Sequence, residues 1–376
     1  VPRKYKASET LFVNHLLEAV KHVSHAQRSR GDEAMTHCMI RYGRIVAFDR
    51  TIAAGAPVIE DDLDCCPQTE RLRLALERCG AEHQIVQDAG SLFVRSGEFS
   101  AYVPLCDPAK LSTPIPDAAC APLGDAFRAS LMITASLVKE SAPTVLQSAV
   151  QLNPGSTVAS NGTAILEAWH GFDMPPGLVI PKLFADAVVK CRKKIVAFGF
   201  SDLTLTVHFE GDCWLRTNLY KRDSVPSMLE KFVNVETMHA FPEGFFSQVA
   251  DIAKWSEDGR VYIDNFLISS HRPDKRNVGS SLSFPMTELM QGVSYSINAL
   301  RSIAKFATHY QDRATPNVTM FFGNGLRGAM AHESISAPSV KQEESAEEYA
   351  ARMAVLKNQM CDCGKRLLDC DVCIPF

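Results

Sequence analysis

An order of helix, strands, helix, strands occurs three times along the chain, at a period of about 110 to 120 residues. Such a chain is expected to fold as consecutive α+β units of similar plan, not around one large core. The first unit opens with Phe12, Leu16, Val20 and Val23 at helical spacing, with Ser8 placed to cap. Strand-like runs follow at 38–42 and 45–49. Next comes a second helix with Leu72, Leu76 and Cys79 inward. Strands 83–87, 91–95 and 99–104 are joined by tight turns at Asp88-Ala89-Gly90 and Ser96-Gly97-Glu98.

The proline-rich stretch 110–122 reads as a linker. A helix over 124–139 follows, with strands flanking Asn153-Pro154-Gly155 and Ser160-Asn161-Gly162. Pro181 opens a helix running to Lys194, and strands 203–209 and 212–219 close the second unit. In the third, a helix from Phe241 to Trp255 precedes strands 260–264, 266–270 and 280–284. A helix over 294–307 follows, and the last strands flank Gly323-Asn324-Gly325. The expected domains are 1–113, 114–234 and 235–331, with 332–376 as linker, short helix and cysteine-rich tail.

Composition narrows the function. The chain is 46% hydrophobic, enough for real cores, and its net charge is −4. A protein that coats nucleic acid with its whole surface is basic, so any such contact must use one basic face of an otherwise acidic molecule. No apolar run reaches membrane-spanning length, and no apolar signal core follows Val1 to Lys6, so a cytoplasmic location is expected. Cys38, Cys65, Cys66, Cys79, Cys106, Cys120, Cys191 and Cys213 are scattered and read as small core hydrophobes of a reducing compartment.

Catalytic signatures are weak. No phosphate-binding Gly-Lys-Ser/Thr loop occurs. Gly323-x-Gly325-x-x-Gly328 lacks the following helix and acid of a dinucleotide site and reads as a hairpin turn. Asp61, Asp62 and Asp64 beside Glu60 would suit a magnesium-dependent nuclease only with a further carboxylate converging in space. The expectation is a protein that is not an enzyme.

Several segments resemble the bacterial DNA polymerase III β subunit and related phage sliding clamps, over residues 8 to 331. His15 to Val20 resembles the family's opening helix. Leu92 to Gly97 with Phe99 resembles the hairpin ending its first domain. Ala159 to Thr163 stands at its Thr-Asp-Gly-His-Arg turn, and Val179-Ile180-Pro181-Lys182 at the start of a middle-domain helix. Leu219 to Pro226 resembles a Phe-Pro segment, with Val225 in place of the aromatic. Gly292 to Tyr295 with Ile297 to Leu300 resembles the helix of the last domain.

The resemblance implies a DNA clamp fold: three repeated domains, each with two helices lining a central hole and antiparallel sheets outside. It implies a head-to-tail homodimeric ring, with 99–103 as a candidate closing edge. It also implies a processivity factor that encircles double-stranded DNA without reading sequence, tethers the replicative polymerase and is served by a clamp loader. The alternative is a non-catalytic scaffold on the same fold, linked to transcription or repair.

Basic residues on the expected lining helices are the candidate DNA contacts: Lys21, Arg28, Arg71, Arg78, Arg128, Lys182, Lys190, Lys193, Lys194, Arg301 and Lys305. The clearest stripe is Lys182, Asp186, Lys190 and Lys193, at four-, four- and three-residue steps. By position, Asn161, Gly162, Thr163, Ile165, Pro226 and Met228 match the family's pocket for partner peptides. Thr163 replaces its histidine, Ala164 its arginine, and its Met-Pro-x-Arg-Leu terminus is absent. In the tail, Cys361, Cys363, Cys370 and Cys373 form a Cys-x-Cys and a Cys-x-x-Cys pair. Four thiolates in that pattern suit a structural zinc, with an iron–sulfur cluster or reactive free thiols as alternatives. The terminal Ile374-Pro375-Phe376 is placed to fill the partner pocket.

Overall fold

The computed structural model describes residues 10–28, 30–60, 62–79, 83–88, 90–220, 229, 238–272, 282–285, 291–315 and 317–335. The first third of the chain forms α1 (Thr10–Val23), the short turn α2 (Glu33–Thr36), β1 (Met39–Arg41), β2 (Arg44–Phe48), β3 (Ile52–Pro57), α3 (Thr69–Arg78), β4 (Gln84–Gln87), β5 (Ser91–Ser96) and β6 (Phe99–Pro104). The middle third forms β7 (Ala121–Pro122), α4 (Asp125–Ala135), the turn α5 (Val145–Ser148), β8 (Ala149–Asn153), β9 (Ser156–Ser160), β10 (Ala164–Trp169) and β11 (Leu178–Pro181). It continues through α6 (Lys182–Lys190), β12 (Ile195–Phe200), β13 (Thr204–Phe209) and β14 (Cys213–Asn218). The last third forms β15 (Met238–Ala240), α7 (Phe245–Ile252), β16 (Arg260–Asp264), β17 (Leu267–Ser269), β18 (Ser283–Pro285), β19 (Val293–Ser296), α8 (Ile297–Ile303), β20 (Ala307–Thr315), β21 (Val318–Gly323) and β22 (Leu326–Ser334).

The helices pack in pairs, α1 on α3, α4 on α6 and α7 on α8. Each presents one apolar stripe to the sheets: Leu16, Val20 and Val23 from α1, Leu72 and Leu76 from α3, Phe127 and Leu131 from α4, and Phe184 and Val188 from α6. Phe245, Val249 and Ile252 from α7 and Leu300 and Ile303 from α8 do the same. Removing such side chains from water is the main force that fixes each pair on its sheets.

Strand ladders run between the thirds of the chain. A seven-stranded antiparallel sheet has the order β1-β2-β3-β14-β13-β12-β7, so β3 and β14 join the first third to the middle. A twelve-stranded sheet joins middle to last through β10 and β22. The three-stranded sheet β4-β5-β6 stands apart. In the first ladder Trp214 lies opposite Gly55, and a Cβ on that glycine would sit 2.3 Å from the indole. Gly55 is therefore the residue that admits a buried tryptophan at this seam.

The linker over 110–122 is held along its second half. The Asp117 carboxylate accepts hydrogen bonds from the Thr204 hydroxyl at 2.8 Å and the Thr206 hydroxyl at 2.8 Å, and its carbonyl faces His208 Nε2 at 2.9 Å. The chain here crosses Gly199 so closely that a Cβ would stand 2.1 Å from the Ala118 carbonyl oxygen.

Several sequence expectations need correction. The helix expected from Pro181 to Lys194 ends at Lys190, because Cys191 turns extended and the following Ile195 enters β12 opposite Phe209. Lys193 and Lys194 therefore lie beyond the helix, and the four-residue stripe is broken. The helix expected over 294–307 is shorter at both ends, Ile297–Ile303, because Val293–Ser296 form strand β19, which ladders with β16 and β22, and Ala307 begins β20. The helix expected from Phe241 begins only at Phe245, after Gly244 in a left-handed conformation. Helix α4 stops at Ala135. Strands β3, β7, β11, β12, β15 and β20 were not anticipated. The last strand continues to Ser334, past the expected limit at Ala331.

Candidate nucleic-acid interface

Between the C-terminal end of α4 and the exposed face of α8 lies a groove of about 1050 Å³. Its floor and walls include Ser136, Gln147, Asn161, Thr163, Asn298 and Ser302, and its cations are Lys139, Arg301 and Lys305. Among the described residues, no aspartate or glutamate lines it. Spacing in and just past α8 explains half of it: Asn298, Arg301 and Ser302 on the helix and Lys305 in the turn after its end at Ile303 fall three, one and three residues apart, on the side away from buried Ala299, Leu300 and Ile303. Cations with hydroxyl and amide donors and no carboxylate make a surface for an extended polyanion.

The turn Ser160–Ala164 shapes one wall. The Asn161 side-chain oxygen accepts the backbone N–H groups of Thr163 at 2.9 Å and Ala164 at 2.8 Å, and the Thr163 hydroxyl at 2.9 Å. Gly162 has φ +89°, and a Cβ there would meet Gln147 Nε2 at 2.5 Å, so the turn requires glycine. The Thr163 carbonyl accepts the Ala331 N–H at 2.8 Å and ties the turn to β22.

The expected DNA contacts divide by surroundings. Arg71, Arg78, Lys190, Lys194, Arg301 and Lys305 are exposed, and among the described residues none of them makes an ion pair. Lys21 pairs with Glu18 at 3.0 Å, Arg28 with Asp49 at 3.2 Å and Lys182 with Asp186 at 2.8 Å. Arg128 is mostly buried, bonded to Asp125 and to the carbonyls of Val188 and Lys193, where it fastens α4 to the end of α6. Lys193 is half-buried beside Cys213. On α3, Arg73 is held by Glu70 and Glu77 at 2.6 Å each, which leaves Arg71 and Arg78 as that helix's open charges. Among the polar groove residues, Ser136, Lys139, Gln147, Asn298 and Ser302 are not among the expected site residues. The helical spacing on α8 was the available signal for Asn298 and Ser302.

The described residues of the expected partner pocket fall in two surroundings. Asn161 and Thr163 line the groove. Ile165 instead packs with Val318 and Phe322 against buried Met320, Ala329 and Leu229. Pro226 and Met228 lie outside the described residues, as do Asp61 and the tail cysteines Cys361, Cys363, Cys370 and Cys373 with Ile374-Pro375-Phe376. Of the acidic run, Asp64 pairs with Arg41 at 2.7 Å, and Glu60 is buried, its carboxyl pushed above the usual range by desolvation. Among the described residues no group of His, Cys, Asp or Glu is placed to hold a metal ion. Among the same residues no helix is long and apolar enough to cross a membrane.

No protein-family model matches the chain, and no curated protein sequence matches it. Solved structures do. A DNA polymerase sliding clamp from Pseudomonas aeruginosa, with ligand, superposes with a TM-score of 0.68 at 10% identity, over 85% of this chain and 98% of that one. The fold is that of the bacterial DNA sliding clamps. The clamp from Bacillus subtilis gives a TM-score of 0.66 at 11% identity, covering 85% and 97% of the two chains. The Helicobacter pylori β clamp bound to a DNA ligase peptide gives 0.63 at 10% identity, covering 86% and 98%. The clamp fold thus accounts for nearly the whole of those proteins. At 10–11% identity the likeness is one of backbone architecture.

Proposed function

We propose that this chain is a DNA sliding clamp, a processivity factor that encircles duplex DNA and tethers a replicative polymerase. The observation that carries the reading is the carboxylate-free cationic groove between α4 and α8, set on a clamp-fold scaffold. Phosphate attraction by mobile lysine and arginine side chains holds a duplex without selecting a sequence, which is what sliding requires. The acidic balance of the chain is then the charge of the outer wall. The function asks for no chemistry from the protein, only topology and charge.

The three domains of this reading are 1–113, 114–234 and 235–331, each with one of the helix pairs toward the hole. Their junctions suggest how a ring closes. In β14–β3 and β22–β10, the third strand after a unit's second long helix pairs with the third strand after a neighbouring unit's first. By the same rule β6 and β18 are partners. In the described chain each of them pairs on one side only, with β5 and β17. Pairing β6 of one copy with β18 of another, twice, closes a head-to-tail dimer and removes both open edges. Partner peptides would dock near the turn at Asn161 to Thr163 and Ile165, on the joint between the second and third domains, and a clamp loader would open the ring.

Retention on circular DNA tests the function. Protein assembled on a nicked plasmid should co-elute with it in gel filtration and should leave when the plasmid is cut once. Equal retention on circle and linear DNA, or none on either together with a strict monomer at high concentration, defeats the sliding reading.

A further inference from the structure

Cys66 and Cys106 face each other across a short antiparallel pairing. Pro67 and Leu105 form an antiparallel bridge, so the residue before the one lies opposite the residue after the other. The Cys106 N–H donates to the Cys66 carbonyl at 3.0 Å, and the Gln68 N–H to the Pro104 carbonyl at 3.0 Å, which fixes this register. Directly opposed residues of such a pair point to one face and hold their Cα atoms about 4.5 to 5.5 Å apart, within a disulfide's reach. The nearness also shows in the Cys66 thiol, which burial first, and then the neighbouring Cys106 and Asp64, push up to about 12.

The two thiols differ in access. Cys66 is buried, and Cys106 is half-buried at the surface. Cys38 is close by but fully buried, its Sγ 3.7 Å from the Pro67 carbonyl oxygen. Cys65 is laddered to Ile40, with N–H to O distances of 3.1 and 2.8 Å in the two directions.

We propose that Cys66 and Cys106 are a reversible disulfide pair, oxidised by a small-molecule disulfide such as oxidised glutathione. The Cys106 thiolate attacks one sulfur of the small disulfide, forms a mixed disulfide and releases one thiolate, which takes up a proton. The Cys66 sulfur, losing its proton, then attacks the Cys106 sulfur, and the second small thiol leaves with that proton. Two protein thiols are oxidised and one small disulfide is reduced to two thiols. The bond closes the loop from 66 to 106, which contains α3, β4, β5 and β6, and fastens the entry of α3 to the exit of β6. This inference does not depend on the clamp function.

The full chain, reduced and then exposed under native conditions to oxidised glutathione, is alkylated and digested with trypsin without reductant. The expected product joins peptide 51–71 to peptide 96–110 and disappears on adding dithiothreitol. It should persist in Cys65→Ser and vanish in Cys66→Ser and Cys106→Ser. A linked pair that survives Cys66→Ser, a link from Cys38 to Cys106, or no link in the wild-type chain or in Cys65→Ser at oxidant levels that consume the exposed thiols overturns the proposal. The wild-type and Cys65→Ser results decide the matter if the other variants fail to fold.

Discussion

Glu167 and Arg327 stand opposite each other in the ladder of β10 and β22, with the Arg327 Nε–H donating to the Glu167 carboxylate at 2.7 Å. The other carboxylate oxygen accepts the Ser156 hydroxyl at 2.8 Å, and the guanidinium lies 5.2 Å from the Trp169 ring centroid. The carboxylate is buried, so taking away its cation leaves a charge without compensation. Arg327→Met is expected to cost about 3–5 kcal/mol of unfolding free energy. The double variant Glu167→Met with Arg327→Met should be less destabilised than Arg327→Met alone. Urea midpoints of the single and double variants check this, and additive losses would mean the pair contributes nothing as a pair.

Substituting Gly55 attacks the other interior seam. An alanine methyl enters the space that the Trp214 indole fills. Gly55→Ala should destabilise by about 1–3 kcal/mol through overpacking, with a red shift of tryptophan emission as the ring is displaced. An unchanged midpoint would show that the seam yields at no cost.

His22 makes stability depend on pH. Its Nε2 lies 3.1 Å from the Trp214 carbonyl and its Nδ1 3.7 Å from Cys191 Sγ. The neutral tautomer with hydrogen on Nε2 satisfies both, since the carbonyl accepts and the thiol donates. Burial lowers its pKa to about 4, against the backbone carbonyl and helped by His25 and Lys193. Below 6.5 the unfolded imidazole takes a proton that the folded one refuses, so stability falls with pH until the folded group titrates near 4. The full interval amounts to about 3 kcal/mol. Denaturant midpoints of the wild type should drop between about pH 7 and about pH 5, and His22→Gln should flatten that drop. Parallel curves for the two proteins would remove His22 as the cause.

Charge reversal in the groove bears on DNA. Arg301→Glu with Lys305→Glu should weaken duplex binding without regard to sequence and lower the log–log salt slope by about one unit per lost phosphate contact. Arg50→Glu with Lys110→Glu is the charge-matched control, because Arg50 is already paired with Asp32 and Lys110 with Glu33 at 2.8 Å, and neither lies on a helix pair. An equal loss from both variants, measured by fluorescence anisotropy across a salt series, would point to net charge instead of the groove.

Much of the architecture could be read from local patterns. The β4-β5-β6 hairpins carry alternating apolar residues and tight turns, and they lie within a residue of where the pattern put them. Strand β3 was invisible for a physical reason. Ile52-Ala53-Ala54-Gly55-Ala56-Pro57 has low intrinsic preference for a strand, and it becomes one because β14 pairs with it and Trp214 needs its bare backbone. Lys193 and Lys194 fit a helical period as well as they fit the start of a strand. Only the ladder of β12 with β13 decides between them. The groove was half legible. Arg301 and Lys305 are four residues apart and fit a helical period, although α8 ends between them at Ile303, and Lys139, Asn161 and Thr163 join them through long-range packing that no local period records. Thr163 and Ile165, only two residues apart, likewise meet different surroundings, one lining the groove and the other packed against Met320 and Ala329.

Strand β22 pairs with β10 and β21 along its first part and with β19 through its last three residues. A pull along the chain direction at this point therefore loads several ladders in shear, and their hydrogen bonds must give way together. Tension across the β4-β5-β6 hairpins parts bonds in succession, a far weaker mode. The long strand thus makes one mechanical body of the middle and last thirds of the chain, with the three-stranded sheet left outside it.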